Sequence, residues 1–264
     1  MDKLAKLKKI LRSMDSVLLA YSGGADSTFL LKVAKDQLGS KVLAVTASSA
    51  TYPAEELTFS KKMARDLKVK HLVVRTEELK NRKFVNNPVN RCYFCKLELF
   101  RRLKDIARKN KLNFVVDASN ISDLKDFRPG SIAKKELRVR SPLEEAGFTK
   151  DDIRKASKKF GLPTADKPSL ACLASRIPYG MRISIPVLSR VNRAEGILKK
   201  LGFKQVRLRH YQGTCRIEVP KRDIPGLIKK RDFVLDRLKR LGYNYITVDL
   251  GGYRTGSMNE VIKK

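Results

Sequence analysis

A glycine-containing turn close to the start of the chain has the composition of a phosphate-binding loop. The turn Ser22-Gly23-Gly24 follows a short apolar run at residues 17–20, and a helical pattern begins at Asp26. Glycines allow backbone N–H groups to approach phosphate oxygens closely, and the N-terminus of a helix adds the positive end of its dipole. The loop of kinases and GTPases is excluded because no lysine follows the glycines. The strand, turn and helix therefore predict a site for a nucleotide polyphosphate.

Three of the four cysteines have the number and spacing of ligands to a metal cluster. Cys92 and Cys95 form a C-x-x-C pair, and Cys172 lies on a loop rich in proline, serine, glycine and alanine. Three thiolates with one open position suit a [4Fe–4S] cluster whose fourth iron binds an exogenous ligand. A zinc site with Cys215 as the fourth ligand and a set of reactive thiols are the alternatives. We expect Cys215, in the middle of a predicted strand, to be buried rather than to bind metal.

The remaining residue types restrict the chemistry to phosphate electrostatics, carboxylates and sulfur. The chain has only two histidines, so neither a serine–histidine–aspartate triad nor a histidine-rich metal site is available. We expect Asp26 to orient phosphate or bind Mg²⁺, and Lys96, directly after the C-x-x-C pair, to contact phosphate. Arg207 and Arg209 lie two positions apart on a predicted strand, which places both on one face and suits a two-arginine phosphate clamp. A solvated sheet face is the alternative for this pair.

Strand-like and helical segments alternate along the first part of the chain. Apolar runs predict strands at 17–20, 42–46, 71–74 and 114–116, and helical patterns lie at 26–37, 54–67 and 95–109. Alternation of this kind predicts an α/β fold, in which helices cover both faces of a parallel sheet. Ligands of such sheets bind at the carboxyl ends of the strands, which is where the glycine turn lies.

A change in composition predicts a second domain. Residues 163–180 are rich in proline, serine, glycine and alanine, and strand patterns at 205–211 and 215–219 follow. The first of these strands alternates apolar and charged residues, which is typical of a strand with one solvated face. We therefore expect a nucleotide-binding α/β domain over 1–165 and a smaller α+β domain for substrate binding and assembly over 166–264.

The chain of 264 residues is strongly basic, with a formal net charge of +31. This charge indicates either a solvated lysine- and arginine-rich surface or a platform for nucleic acid. We favour the solvated surface, since the basic residues are spread over several helical patterns and form no tail. No apolar run approaches the roughly 18 residues of a membrane span, and the lysine-rich N-terminus lacks the apolar core of a signal peptide. We expect a cytoplasmic protein that binds neither membrane nor nucleic acid.

The motifs taken together resemble those of one enzyme family. Residues 22–27, SGGADS, are similar to the loop of the ATP pyrophosphatase (PP-loop) superfamily, whose members split ATP between the α and β phosphates and attach AMP to a substrate oxygen. Further motifs follow in order at residues 90–96, 117–120, 126–130, 141–143 and 167–180. The set resembles the ATP-dependent sulfur transferases that make the pyridinium bis-thiocarboxylate mononucleotide of the lactate racemase nickel-pincer cofactor. One departure is Ala118-Ser119, where the family pattern has Gly-Thr; these small residues keep the expected geometry.

This resemblance implies a sulfur source and a set of site residues. Some members of the family give up the sulfur of one cysteine, which becomes dehydroalanine, and others hold an iron–sulfur cluster with an extra sulfide on three cysteines. Cys92, Cys95 and Cys172 resemble the second type, with Cys172 at the position of the sulfur donor. The implied nucleotide contacts are Ser22, Gly23, Gly24, Asp26, Ser27 and Lys96, and the implied substrate contacts are Arg176, Arg207, Arg209 and Glu218.

The implied reaction is an adenylation followed by sulfur transfer. AMP passes from ATP to a carboxylate of a pyridinium dicarboxylate mononucleotide, while the loop and Mg²⁺ neutralise pyrophosphate, and sulfur then displaces AMP. The expected partners are this mononucleotide, ATP, sulfide or another sulfur donor, and further copies of the chain in a homo-oligomer. The main alternative is a tRNA thiolation enzyme with a similar loop, three cysteines and a cluster, which the +31 charge favours. A nucleotide sensor without turnover and an ammonia-using synthetase are further alternatives, of which the second leaves the three cysteines unexplained.

Overall fold

The computed structural model describes residues 2–125, 129–168 and 171–262 of the chain. Residues 126–128 and 169–170, which belong to two of the motifs above, lie outside the described residues. Within the described part, no helix combines the length and the apolar character that are needed to cross a membrane.

The chain forms two compact units. One unit comprises Met1–Glu78 and Asn90–Leu170, and the other comprises Leu79–Val89 and Ala171–Lys264. The sequence predicts one boundary, after residue 165. In the structure the chain enters the second unit at Leu79, returns to the first at Asn90 and enters the second again at Ala171. The binding roles assigned to the two predicted domains stay predictions.

Helices and strands alternate through the first unit and are mixed in the second. In chain order they are α1 (Lys3–Met14), β1 (Val17–Ala20), α2 (Ala25–Leu38), β2 (Val42–Ser48), α3 (Ala54–Asp66), β3 (Lys70–Arg75), α4 (Arg82–Val85), α5 (Arg91–Lys109), β4 (Phe114–Val116), α6 (Gly130–Glu136), α7 (Pro142–Glu145), α8 (Lys150–Lys159), α9 (Ile185–Lys200), β5 (Arg207–Tyr211), β6 (Thr214–Glu218), α10 (Ile224–Lys229), α11 (Arg231–Lys239) and β7 (Tyr245–Val248). The four strands predicted for the first part of the chain thus form at the predicted places.

The sheet of the first unit is parallel and has the strand order β3-β2-β1-β4. In its register, Leu19 of β1 lies beside Ala44 of β2 and Val116 of β4. The central position explains why β1 is a continuous apolar run rather than an alternating one, since strands covered on both faces need apolar side chains on both. The glycine turn begins directly after β1, at the carboxyl edge of the sheet.

Helices cover both faces of this sheet. Leu19 packs in a buried cluster with residues of α1, α2, α3 and α8, including Phe29. Leu18 points to the opposite face and packs in a second cluster with Phe100 and Leu103 of α5. The predicted α/β fold, a parallel sheet with helices on both faces followed by a smaller α+β part, is confirmed.

The second unit contains a mixed sheet with the order β5-β6-β7, in which β5 and β6 are antiparallel and β6 and β7 are parallel. The expectation of a solvated face is wrong for β5, because Arg207 and Arg209 are only 6% and 5% exposed. Two neighbouring segments bury the strand. From α9, Glu195 accepts the backbone N–H of Leu208. From the C-terminal segment, the hydroxyl of Ser257 accepts a hydrogen bond from Arg209.

The short segment 79–89 is fastened to the second unit by buried hydrogen bonds. The side-chain amide of Asn87 donates to the carbonyls of Ile177 and Pro178, and the carbonyl of Asn87 accepts the N–H of Gly180. Asn87 is fully buried, so these bonds are shielded from water. The segment is therefore an integral part of the second unit although both of its ends lead into the first.

Candidate functional site

The turn after β1 has a backbone that requires glycine at one of its two glycine positions. Gly23 has a φ of +65°, and a Cβ added there would lie 2.9 Å from the Cβ of Ser60 on α3. Both the left-handed backbone and this close approach exclude a side chain. Gly24, which caps α2, has a φ of −79°, and its added Cβ would meet only the Oγ of Ser22, at 3.4 Å.

Hydroxyl groups close the turn into a compact loop. The Oγ of Ser27 accepts the backbone N–H of Ser22 at 3.3 Å, lies 3.0 Å from the Oγ of Ser22 and donates to the carbonyl of Gly24 at 3.2 Å. The structure thus brings the predicted loop residues together at the N-terminus of α2. The first N–H groups of a helix have no partner within the helix, so this loop has the donors that a phosphate needs.

A tyrosine from the segment after β2 forms a hydrogen bond with this loop. The hydroxyl of Tyr52 donates to the carbonyl of Ser22 at 2.7 Å. The segment that carries Tyr52 is itself held by the buried carboxylate of Glu78, which accepts hydrogen bonds from the hydroxyls of Ser49 and Thr51. The position of the loop therefore depends on the carboxyl ends of β2 and β3 as well as on β1.

Asp26 is oriented by an asparagine from the neighbouring strand end. The side-chain amide of Asn120 donates to Asp26 at 3.2 Å, and its oxygen accepts the N–H of Ser122 at 3.0 Å. Asn120 is fully buried and follows β4, the strand beside β1. One carboxylate oxygen of Asp26 is thereby held in place in the first turn of α2, where the helix dipole favours negative charge.

A lysine from the end of the first unit also contacts the loop. Lys167 donates to the carbonyl of Gly23 at 3.2 Å and to the carboxylate of Glu56 at 2.7 Å, and its ammonium lies 3.6 Å from the ring centroid of Phe59. Lys96, by contrast, lies on α5 with its ammonium 5.2 Å from the ring centroid of Phe100. No hydrogen bond joins Lys96 to the loop in the part of the chain that the structure describes, so its contact with phosphate stays a prediction.

The cysteines proposed as ligands lie on two different units. Cys92 is exposed and Cys95 half-buried in the first turns of α5, and their spacing of three places both on one face of the helix. Cys172 is exposed and precedes a 3₁₀ turn of the second unit, Leu173–Arg176. Among the described residues, no group of three or more histidine, cysteine or acidic side chains is arranged to hold a metal ion.

Cys215 differs from the other three cysteines in its burial. It is fully buried in β6, and burial raises the pKa of its thiol to about 12. A thiol with such a pKa is neither a good nucleophile nor a ready metal ligand at neutral pH. The expectation that Cys215 is a buried residue is confirmed.

Arg176 holds the backbone around Cys172. Its guanidinium donates to the carbonyls of Ala171 and Cys172, at 2.6 and 3.1 Å, and to both carboxylate oxygens of Glu195, at 2.8 and 3.0 Å. Burial is the largest single influence on Glu195 and opposes its ionisation, but the charge and hydrogen bonds of Arg176, the charge of Arg207 and the N–H of Leu208 together lower the pKa of the carboxyl group. Arg176 is also predicted as a substrate contact, and that role stays a prediction; its observed partners are Glu195 and the backbone on either side of Cys172.

The predicted arginine pair on β5 is divided between two roles. Arg209 forms a two-point ion pair with Glu218, at 3.0 and 2.6 Å, and also donates to the carbonyl of Ser175. Arg207 is buried beside Arg176, and burial together with the neighbouring positive charge lowers the pKa of its guanidinium. The predicted clamp thus contains one arginine that is already matched to a carboxylate and one in an environment that disfavours its charge.

Comparison with known proteins decides the family. A sequence model of the family described as queuosine biosynthesis protein QueC, a PP-loop family, matches residues 16–87. The chain is 36% identical over 263 residues to the pyridinium-3,5-bisthiocarboxylic acid mononucleotide synthase of Lactiplantibacillus plantarum, which covers 99% of this chain and 95% of the relative. The chain belongs to the family of this synthase. The resemblance inferred from the motifs is therefore confirmed.

Two further relatives match along nearly their whole length. An uncharacterized protein of Synechocystis is 42% identical over 100% of this chain and 99% of its own. An uncharacterized protein of Methanocaldococcus jannaschii is 28% identical over 97% of this chain and 98% of its own. The similarity to these relatives thus covers both units of this chain.

Sequence reasoning missed three residues of the loop site in this synthase-family chain. Asn120 ends the motif 117–120 and Lys167 begins the motif 167–180, but the sequence predicted no contact of either with the loop. It predicted no role for Tyr52. The position of Asn120 after a strand that neighbours β1 was a usable signal. The other two contacts carry no such signal, since they depend on how distant segments pack.

Proposed function

We propose that this chain is an ATP-dependent sulfur transferase that acts on a pyridinium dicarboxylate mononucleotide. The observation that carries the proposal is the 36% identity, over 99% of the chain, to a protein named for the bisthiocarboxylic acid product. Each carboxylate would be activated by transfer of AMP and then converted to a thiocarboxylate. The use of ATP and of exposed thiols fits a reducing, cytoplasmic compartment.

The first step of the proposed reaction takes place at the loop after β1. A carboxylate oxygen of the substrate attacks the α phosphorus, the bond to the bridging oxygen breaks, and pyrophosphate leaves with the electron pair. The N–H groups at the start of α2 would stabilise the developing negative charge. Asp26, held by Asn120, has the oxygen ligand that Mg²⁺ prefers, and a bound Mg²⁺ would neutralise further phosphate charge.

The second unit supplies a buried excess of positive charge for the anionic substrate. Three guanidinium groups, those of Arg176, Arg207 and Arg209, are buried with two carboxylates, those of Glu195 and Glu218. A phosphate monoester carries about −1.5 to −2 charges at neutral pH, so it would compensate this excess. We assign Arg207 as the phosphate contact and Glu218 as the residue that orients Arg209, since a phosphate would offset the burial and the neighbouring positive charge that lower the pKa of Arg207.

Sulfur enters in the second step of the proposed reaction. A sulfur nucleophile attacks the carbonyl carbon of the acyl adenylate, and AMP leaves with the electron pair of the broken C–O bond. Cys92 and Cys95, exposed or half-buried on one helix face, and the exposed Cys172 have the thiolate donors that a [4Fe–4S] cluster needs. When bound, such a cluster supplies a deprotonated sulfide. Cys172 is assigned either as a ligand or as the sulfur donor itself.

Replacement of Asp26 tests the adenylation step. With ATP, Mg²⁺ and the mononucleotide, the unaltered protein should release AMP and pyrophosphate in equal amounts, and Asp26→Asn should lower this rate by about 100-fold or more. The control is Asp36→Asn on the same helix, where the carboxylate forms an i,i+4 pair with Lys32 at the surface; it should leave the rate unchanged. Formation of ADP as the main product would contradict the proposal.

The strong positive charge of the chain favours a second candidate, a tRNA thiolation enzyme. A net charge of +31 is far more than one mononucleotide requires, and it would suit a polyanion. Ion pairs within the chain cannot cancel this excess, since the chain has 58 basic and only 27 acidic residues. The charge alone carries no information about the reacting group, so the two candidates must be separated by their products.

The dependence of turnover on salt separates the two candidates. Conversion of the mononucleotide should change only modestly between about 50 and 200 mM salt and should survive treatment with ribonuclease. Binding of tRNA through many phosphate contacts would instead weaken by about 10³- to 10⁵-fold over that range. Thiolated nucleosides in tRNA, together with an unmodified mononucleotide, would replace the first candidate by the second.

A further inference from the structure

Lys167 brings a positive charge to a phosphate-binding loop whose own sequence contains no lysine. The glycines of this loop are followed by Ala25 and Asp26 rather than by lysine. In P-loop proteins the lysine after the glycines reaches the β and γ phosphates. The structure offers another ammonium at the same loop, since the Nζ of Lys167 lies 3.2 Å from the carbonyl oxygen of Gly23.

We propose that Lys167 is a polyphosphate ligand of the nucleotide site and that Glu56 holds its ammonium in place when no nucleotide is bound. The proposal rests on the proposed use of ATP at this loop. It adds a residue that lies outside the SGGADS motif and that is 144 positions from the glycine it contacts.

The surroundings of Lys167 hold its ammonium close to the loop. Its side chain and that of Glu56 are 15% and 14% exposed, and their charged atoms are 2.7 Å apart. The face of Phe59 lies 3.6 Å from the ammonium, which adds a cation–π attraction. A charge so far removed from water needs an anionic partner, and Glu56 provides it.

A nucleotide in the loop would offer this ammonium a stronger partner. The carbonyl of Gly23, in the turn that leads into α2, already accepts from Lys167 at 3.2 Å. The lysine stem has four rotatable bonds, so its ammonium can move by a few ångströms without movement of the backbone. Glu56 lies in the first turn of α3, where its charge opposes the approach of a polyphosphate unless Lys167 stays between them.

The test compares the affinity of the protein for ATP with its affinity for adenosine, measured by calorimetry on the full chain with Mg²⁺. Lys167→Met removes the ammonium but keeps an unbranched side chain that packs on Phe59. It should weaken ATP binding by about 10- to 100-fold, which corresponds to the loss of a hydrogen bond to a charged group. Adenosine, which has no phosphate, should bind with unchanged affinity. Lys62→Met, an exposed change on α3, is the control and should alter neither affinity.

Glu56→Gln provides a second variant that does not remove the lysine. It takes away a negative charge near the phosphates, so ATP should bind more tightly than to the unaltered protein while adenosine is unaffected. Equal weakening of ATP and adenosine in Lys167→Met, or unchanged ATP affinity, would overturn the assignment of Lys167. Weaker ATP binding in Glu56→Gln would show that the ion pair only supports the fold and would also overturn it. Failure of the unaltered protein to bind ATP would instead overturn the nucleotide site as a whole.

Discussion

Replacement of Gly23 by alanine should reduce ATP binding by roughly 100-fold or more, whereas the same change at Gly24 should have an effect within a few-fold. At Gly23 an alanine would be strained by a φ of +65°, at a cost of about 1–2 kcal/mol. Its Cβ would also lie 2.9 Å from the Cβ and 3.2 Å from the Cα of Ser60, so α3 or the loop must shift. Small displacements of binding groups of this kind cost about 100-fold in function.

The two causes at Gly23 can be separated by a second change on α3. Ser60→Gly removes the nearer of the two colliding atoms but leaves the backbone strain, so the double variant should recover part of the lost ATP affinity. Binding is measured by calorimetry, and circular dichroism confirms that each variant is folded. Similar losses in Gly23→Ala and Gly24→Ala would contradict the asymmetry that the two backbone conformations predict.

Weakening the contact between Arg176 and Glu195 should release Cys172. Arg176→Lys keeps the positive charge but loses the fork of donors that reaches Glu195 and two backbone carbonyls at once. Hydrogen bonds to charged groups of this kind contribute about 1.5–3 kcal/mol each. We expect anaerobically purified Arg176→Lys to contain much less iron than the unaltered protein. After removal of iron, Cys172 should be alkylated several-fold faster, while Cys92 in the same chain keeps its rate.

Reference variants distinguish this positioning role from a general loss of stability. Cys172→Ala sets the iron content expected for complete loss of the ligand, and Cys215→Ala, in a buried strand, should leave iron unchanged. Arg193→Lys, an exposed change on α9, controls for the substitution itself. If Arg176→Lys lowered the melting temperature but changed neither iron content nor the ratio of the two alkylation rates, Arg176 would be a structural residue only.

The parts of the fold that were predictable from sequence are those with local causes. The buried run 17–20 and the glycines that follow it specify the strand, the turn and the start of α2 through short-range patterns. The sheet order then places Asn120, which follows β4, beside the loop that follows β1. The contact of Lys167 with Gly23 was not predictable, because it joins residues 144 positions apart and no periodicity connects them.

The sequence did not predict that charged residues of the second unit are buried. An alternating strand with Arg207 and Arg209 has the pattern of a half-solvated strand, because arginine is mostly exposed in proteins. Here Glu218 pairs with Arg209 and Glu195 partly offsets the charge of Arg207, so the strand can be covered on both sides. The compensation comes from partners on another strand and on a helix, and only the folded arrangement identifies them.

Because segment 79–89 belongs to the second unit, recombination between related genes can exchange the two units only under certain conditions. The chain crosses between the units three times, after Glu78, after Val89 and after Leu170. A gene fragment that ends near residue 165 would encode Phe84, Val85 and Asn87 without the segment around residues 177–183 that buries and binds them. A single crossover therefore cannot exchange the whole second unit, because it would leave segment 79–89 behind. The two units are instead expected to pass between lineages together, in agreement with relatives that match the chain from end to end.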